Sequence, residues 1–168
     1  MGGGCGPEPS ELDLSVPRYY LAATTITCND GNSYALFGGG SGSGGVYNDV
    51  DVINCKFDQS TLQLQNARSY LAATTITCND GNSYALFGGG RGLFSTTVYN
   101  DVDVFECCDV TNDIQYKTTL RLSSGRSDLA ATTFTDCCNK EYALFGGGYV
   151  GSGSYSNTVN LFDCTDIS

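Results

Sequence analysis

YLAATTITCNDGNSYALFGGG, residues 70–90, repeats residue for residue the stretch at 20–40. A looser third copy, DLAATTFTDCCNKEYALFGGG, occupies 128–148. The starts are 50 and then 58 positions apart. Copies this alike fold alike, so the chain is one unit used three times.

The first unit reads as four short strands. Residues 20–28 are rich in Thr and Ile and form the first. Asn29-Asp30-Gly31-Asn32 is a hairpin turn, because Asn, Asp and Gly tolerate the positive φ such turns need. Residues 34–37 return. VYNDVDVINC at 46–55 alternates, with Val46, Val50 and Val52 candidates for burial, and TLQLQ at 61–65 is the fourth strand. The second cycle predicts strands at 70–78, 84–87, 97–107 and 114–122, with a longer turn at 109–113. The third predicts 129–137, 142–145 and 157–164. Residues 38–45 are only Gly and Ser and read as a flexible loop that permits close backbone approach. No useful helical periodicity occurs, so no helix beyond one or two turns is expected.

Four-stranded units of about 50 residues match the blades of a β-propeller. ELDLSV at 11–16 alternates as well, with Leu12, Leu14 and Val16 on one face. It matches the fourth strands at 62–65 and 120–123, whereas the third unit offers only three strands. The expected architecture is all-β: twelve strands, three blade equivalents, cut out of phase. Residues 1–10 are a flexible tail. Residues 11–168 form a half-propeller of units at about 18–67, 68–125 and 126–164, with 11–16 as a closing strand. Propellers typically need about four to eight blades. Two chains give six, each 11–16 strand completing its partner's last blade in a two-fold homodimer. Part of a longer propeller, or an open assembly, are the alternatives.

Eighteen acidic residues against eight basic ones leave a net charge of −10, which disfavours nucleic acid and anionic membranes as partners. No apolar run approaches the roughly 20 residues of a membrane span. MGGGCGPEPS has neither a basic start nor an apolar core, so no signal peptide is expected. That leans towards the cytoplasm and leaves an extracellular site open. There are nine cysteines, no histidine and no CxxC, so no metal is expected. Free thiols are expected from a reducing compartment, with some disulfides as the alternative. Cys28, Cys78 and Cys137 end first strands, while Cys55, Cys107 and Cys164 end third strands, opposite the glycine loops. Within one unit the two are separated by about 9.6 Å, beyond the roughly 7 Å reach of a disulfide. A Cys28–Cys55 bridge is therefore not expected, and small buried hydrophobes are. Neighbouring Cys107 and Cys108, like Cys137 and Cys138, should face opposite ways. Cys5, in the tail, reads as an exposed thiol.

The repeat resembles the kelch family. The pattern runs Arg18, the AATT strand, YALFGGG, then a tyrosine and the VDV strand. It recurs at Arg68, 84–90 and 99–104, and in the third unit at Arg126 and 142–148, with Ser156 where the tyrosine stood. The resemblance covers about 11–164. Kelch units usually carry a tryptophan in or near the fourth strand, and this chain has none. The resemblance implies a propeller of six or seven blades and, for most members, protein binding. A few members are copper oxidases that use histidines and tyrosines, which the absence of histidine removes here.

The glycine runs are not followed by Lys-Ser/Thr or a helix, so they read as turns or close packing rather than phosphate loops. Asn29-Asp30-Gly31 and Asn79-Asp80-Gly81 are too short for a calcium loop. Arg18, Arg68 and Arg126 read as packed, ion-paired supports, with a ligand-facing ring as the alternative. Asp49, Asp51, Asp101 and Asp103 read as solvated or locally paired rather than catalytic. Tyr19, Tyr20, Tyr70, Tyr149 and Tyr155 fall near the glycine-loop face, where tyrosines suit protein or sugar recognition. The units differ most at 41–45, 91–94 and 149–154. Arg91, Leu93, Phe94, Tyr149 and Tyr155 are the expected binding residues, since Arg and aromatics dominate interface hot spots. No catalytic residue, metal or cofactor is expected. The near-identical copies point to recent duplication or design. The expected function is a non-catalytic, self-assembling scaffold presenting loops to a protein. Alternatives are a carbohydrate-binding module of a surface or phage-like protein, and a purely structural or designed propeller.

Overall fold

Alternating small and branched residues form β1 (Ala22–Thr27), and Gly31 at φ 84° turns the chain into β2 (Ser33–Gly38). The computed structural model describes residues 9–79, 81–94, 96–108 and 113–167. A ribbon of β3 (Ser41–Gly42) and β4 (Gly45–Val46) precedes β5 (Asp49–Asn54) and β6 (Gln59–Gln63). The first sheet is antiparallel, in order β1-β2-β5-β6. The second unit repeats it with β7 (Ala72–Thr77), β8 (Ser83–Gly88), β9 (Asp101–Cys108) and β10 (Asp113–Arg121), a four-stranded sheet in the same spatial succession. In the third unit β11 (Ala130–Thr135), β12 (Glu141–Gly146) and β15 (Val159–Phe162) pair in that order. Between them lies a ribbon of β13 (Tyr149–Gly151) and β14 (Ser154–Tyr155), and one turn of helix, α1 (Cys164–Ile167), follows. Asn139, at φ 60°, takes the turn position that Gly31 and Gly81 hold in the other units.

Several expectations are corrected. Residues 11–16 form no strand, and among the described residues the third sheet has three strands, not four. A strand requires a ladder, and 11–16 meets no free sheet edge; Ser15 N–H instead donates to Asp51 Oδ2 at 3.0 Å. The 38–45 stretch is not a loop throughout, since it supplies β3 and β4. The last strand ends at Phe162, before Cys164. The readings of Cys5, of most of the tail, of Asp80 and of 109–112 fall outside the described residues.

Period 2 sends alternate side chains to opposite faces, and the sheets use both faces. Leu36, Val50 and Val52 of the first sheet, with Leu64 just past β6, bury with Ala85, Phe87 and Phe105 of the second. Leu86, Val102 and Val104 of the second, with Leu122 just past β10, bury with Ala143, Phe145 and Phe162 of the third. The glycines set the spacing. A Cβ on Gly38 would lie 2.7 Å from the Phe87 ring, and one on Gly88 would lie 2.5 Å from the Phe145 ring. Next to them, Gly39 and Gly89 (φ 69° and 67°) receive the carbonyls of Arg68 and Arg126 and the side chains of Leu71 and Leu129. The first strands run side by side. Thr24 and Thr75 hydroxyls meet at 2.7 Å, Thr74 and Thr133 at 2.8 Å, and Thr75 Oγ1 donates to Thr25 O at 2.7 Å.

Two disulfides cross the same junctions: Cys28–Cys107, with Cα atoms 5.6 Å apart, and Cys78–Cys164, at 5.8 Å. The free-thiol expectation is therefore wrong for these four. The in-sheet distance does forbid Cys28–Cys55, but stacking brings the first strand of one sheet to the third strand of the next.

Asp51 and Asp103 are paired rather than solvated. Arg18 Nη2 lies 2.7 Å from Asp51 Oδ2, and Arg68 Nη1 lies 3.0 Å from Asp103 Oδ2, all with buried side chains. Thr61 and Thr119, on the fourth strands, donate to the same aspartates at 3.3 and 2.7 Å. Arg126 breaks the pattern. It is fully buried, and Asn160 stands where Asp51 and Asp103 stand. Its other acceptors are Ser156 Oγ (3.1 Å), Thr158 O (3.0 Å) and Phe145 O (3.2 Å). Its Nε has no partner among the described residues. Burial pushes its pKa down, as it does that of Arg68, where the Asp103 charge opposes the shift.

Candidate recognition site

At the glycine-loop end the backbone carries three matched residues with positive φ: Tyr20 (58°), Tyr70 (57°) and Asp128 (57°). Tyr70 N–H donates to Tyr20 O and Asp128 N–H to Tyr70 O, both at 2.9 Å. This chain of bonds holds a conformation that is costly for tyrosine, and it stacks the Tyr20 and Tyr70 rings at 3.9 Å. Tyr19 adds an edge contact to Tyr20 at 4.7 Å. On the other side, the Arg91 guanidinium sits 3.7 Å from the Tyr70 ring centre, a cation–π contact. Backbone bonds with Ser69 in both directions, 2.8 and 2.9 Å, fix Arg91. The Tyr70 phenol raises the Tyr20 hydroxyl pKa, first by hydrogen bonding and then by charge.

Arg91 separates two shallow depressions. One, of about 520 Å³, is lined by Arg91, Asp128, Gly148, Tyr149 and Tyr155. The other, of about 230 Å³, includes Tyr19, Tyr20, Ser69, Tyr70 and Leu93. The first offers a cation, a carboxylate and two aromatic rings, and the rings of Tyr149 and Tyr155 meet edge-on at 5.9 Å. Such a set binds polar ligands with flat apolar faces, or side chains of a protein. Among the described residues no group of three or more His, Cys, Asp or Glu converges as a metal site.

The structure thus brings Arg91, Tyr149 and Tyr155 together. Leu93 lines the neighbouring depression, and Phe94 stands outside both; they are 64% and 72% exposed. Asp128 was missed. Its signal was present in the repeat, since Tyr20 and Tyr70 become Asp at that position alone. Arg18, Arg68 and Arg126 do not face the site: their side chains are buried between sheets.

Neither a family model nor a curated protein matches this chain. It is similar to the solved structure of YjhT, with a TM-score of 0.57 at 19% identity, over 89% of this chain and 49% of that chain. The chain therefore spans about half the length of that structure. At this identity the likeness concerns the fold.

Proposed function

We propose that this chain is half of a six-bladed, kelch-like β-propeller, closed by a second copy, and that it works as a non-catalytic scaffold offering its loop face to a protein partner. The observation that carries this reading is the match between its two outer faces. Each inner junction seats a phenylalanine on a glycine. On the third sheet a Cβ on Gly146 would meet only Val159, while Phe37 of the first sheet is merely half-buried. Val159 and Leu161 are 50% and 53% exposed, where their counterparts Val102 and Val104 are at 0%. The first sheet of a second copy has the groups that would cover them.

The fourth strand supports the same arrangement. Segment 11–16 aligns with β6 and β10, and among the described residues no strand pairs with the outer edge of β15 in the third sheet. If 11–16 adds there, Glu11 takes the place of Thr61 and Thr119, opposite Asn160. The carboxylate that Arg126 lacks would then come from the other copy.

Light scattering across a dilution series tests the assembly. Two chains are expected, with a melting point that rises with concentration, and removal of residues 1–16 should dissociate them. A folded single chain with a concentration-independent melting point would overturn it. For recognition, the exposed Leu93 and Phe94 beside Arg91 favour a protein partner. Replacing Arg91 and Phe94 by Ala should abolish capture of a binder selected against this face. The depression holding Arg91, Asp128, Tyr149 and Tyr155 favours a carbohydrate as the second reading, and a glycan array separates the two.

A further inference from the structure

The disulfides obey a rule that the single chain leaves unfinished. Cys28–Cys107 joins the end of the first strand in unit one to the end of the third strand in unit two, and Cys78–Cys164 does the same from unit two to unit three. By the repeat register, one third-strand cysteine remains, Cys55 of the first unit. One first-strand end remains, in the third unit, where Asp136 aligns with Cys28 and Cys137 is the next residue. Cys55 and Cys137 are both free and exposed.

The turns provide an independent measure of their separation. Across the first junction, Asn29 Nδ2 donates to Asn82 Oδ1 at 2.8 Å. Cys137 occupies the Asn29 position, because the turns at 28–32 and 136–140 close with the same bonds: Cys28 N–H to Asn32 O, and Asp136 N–H to Lys140 O. Asn32 is the first-unit counterpart of Asn82. The Cys55 thiol already rests on Asn32 Oδ1, at 3.4 Å. Carried to a junction between the third unit of one copy and the first unit of another, these contacts place Cys137 against Asn32 of the second copy, beside its Cys55.

We propose that Cys137 of one copy and Cys55 of a second form a disulfide, so that a two-fold pair carries two such bonds. This rests on the two-copy reading above and adds to it a covalent, redox-dependent lock. The oxidant is a low-molecular-weight disulfide of the glutathione type. One cysteine thiolate attacks it and expels one thiol; the second cysteine thiolate then attacks the mixed disulfide and expels the other. Each cysteine loses its proton, one S–S bond forms in the protein, and the oxidant's S–S bond is reduced to two thiols. Cys55, Cys137 and its neighbour Cys138 are exposed free thiols, and Cys137 is the one that the turn register sets at the Asn29 position.

The test equilibrates the full chain with oxidised or reduced glutathione, blocks remaining thiols, and compares native mass with denaturing, non-reducing electrophoresis and peptide mapping. The expected result is a two-chain native mass in both buffers. Oxidised glutathione alone should give a covalent species of twice the chain mass, with residues 55 and 137 in one linked peptide. Cys55→Ser and Cys137→Ser should each abolish it, and a mixture of the two variants should restore it through the one remaining pair. Cys138→Ser should leave it intact. A two-chain native mass with both thiols blocked singly in oxidised glutathione would overturn the lock and leave the paired ring standing. A single-chain native mass would overturn the paired ring and the lock with it. A covalent species that persists in Cys137→Ser would assign the link elsewhere and overturn the proposal.

Discussion

Gly146→Ala and Gly88→Ala should have opposite signatures. At Gly88 an added Cβ would stand 2.5, 2.8 and 3.1 Å from three atoms of the Phe145 ring, which is fully buried and cannot withdraw. Overpacking of this kind costs about 1–3 kcal/mol, and each kcal/mol lowers the melting point by about 2–4 °C in a chain of this size. At Gly146 the nearest atom is Val159 Cγ2, at 3.3 Å, the tip of a half-exposed side chain. Within one chain the substitution should therefore be nearly silent. In a closed pair, Phe37 of the second copy takes the role that Phe145 plays at Gly88, and symmetry imposes the clash twice. Twice about 1–3 kcal/mol weakens association by roughly thirtyfold to twenty-thousandfold. Sedimentation velocity over a dilution series, with thiols kept reduced, reads the dissociation constant of wild type, Gly88→Ala and Gly146→Ala. Unchanged association of Gly146→Ala would refute the seating of Phe37 there. An unchanged melting point of Gly88→Ala would refute the close-approach reasoning itself.

Glu11→Thr should weaken the pair, and adding Asn160→Asp should recover it by restoring the Thr–Asp–Arg arrangement of the inner junctions; failure of the second change to rescue would count against Glu11 as the partner of Arg126. Cys28→Ser with Cys107→Ser opens a loop spanning 79 positions and should cost on the order of 4 kcal/mol of unfolding free energy in a urea titration. Asp163 is held down to about 2 by hydrogen bonds from Lys140 and then Thr165. A folded-state pKa below the unfolded one near 3.9 stabilises above about pH 4, and that stabilisation is lost as pH falls towards 2. Asp163→Asn should therefore melt slightly below wild type at pH 6, by the ~0.2–1 kcal/mol of a surface pair, and the difference should close by about pH 2.

The three sheets were legible because AATTIT is rich in Thr and Ile, DVDV alternates with period 2, and Asn, Asp and Gly turns bound the strands. The β3–β4 ribbon was not, since Ser41 to Gly45 carries almost no side chains to pattern. Segment 11–16 has the pattern of a strand, but a strand is a property of a pair, and its register points to an edge that the single chain does not bring to it. The disulfides were hidden by measuring within one sheet. The cysteines' shared register at strand ends held the clue, and stacking of β1 on the end of β9 realises it. At the recognition site, loop variability singled out Arg91 and Tyr149, and the placing of tyrosines near the glycine loops added Tyr155. The Tyr20–Tyr70 stack escaped because positive φ at a tyrosine is invisible in composition, and Asp128 escaped because it lies inside the repeat rather than in a variable loop.

The seating of phenylalanine on glycine has an evolutionary corollary. Every junction uses one kind of donor face and one kind of acceptor face, so inserting or deleting a whole unit leaves the two terminal faces chemically unchanged. Unequal crossing-over between the identical stretches at 20–40 and 70–90 would give two-unit or four-unit descendants with the same cohesive ends. Gene length and subunit number would then be interchangeable routes to a ring of given size, and a lineage could move between them without inventing a new contact.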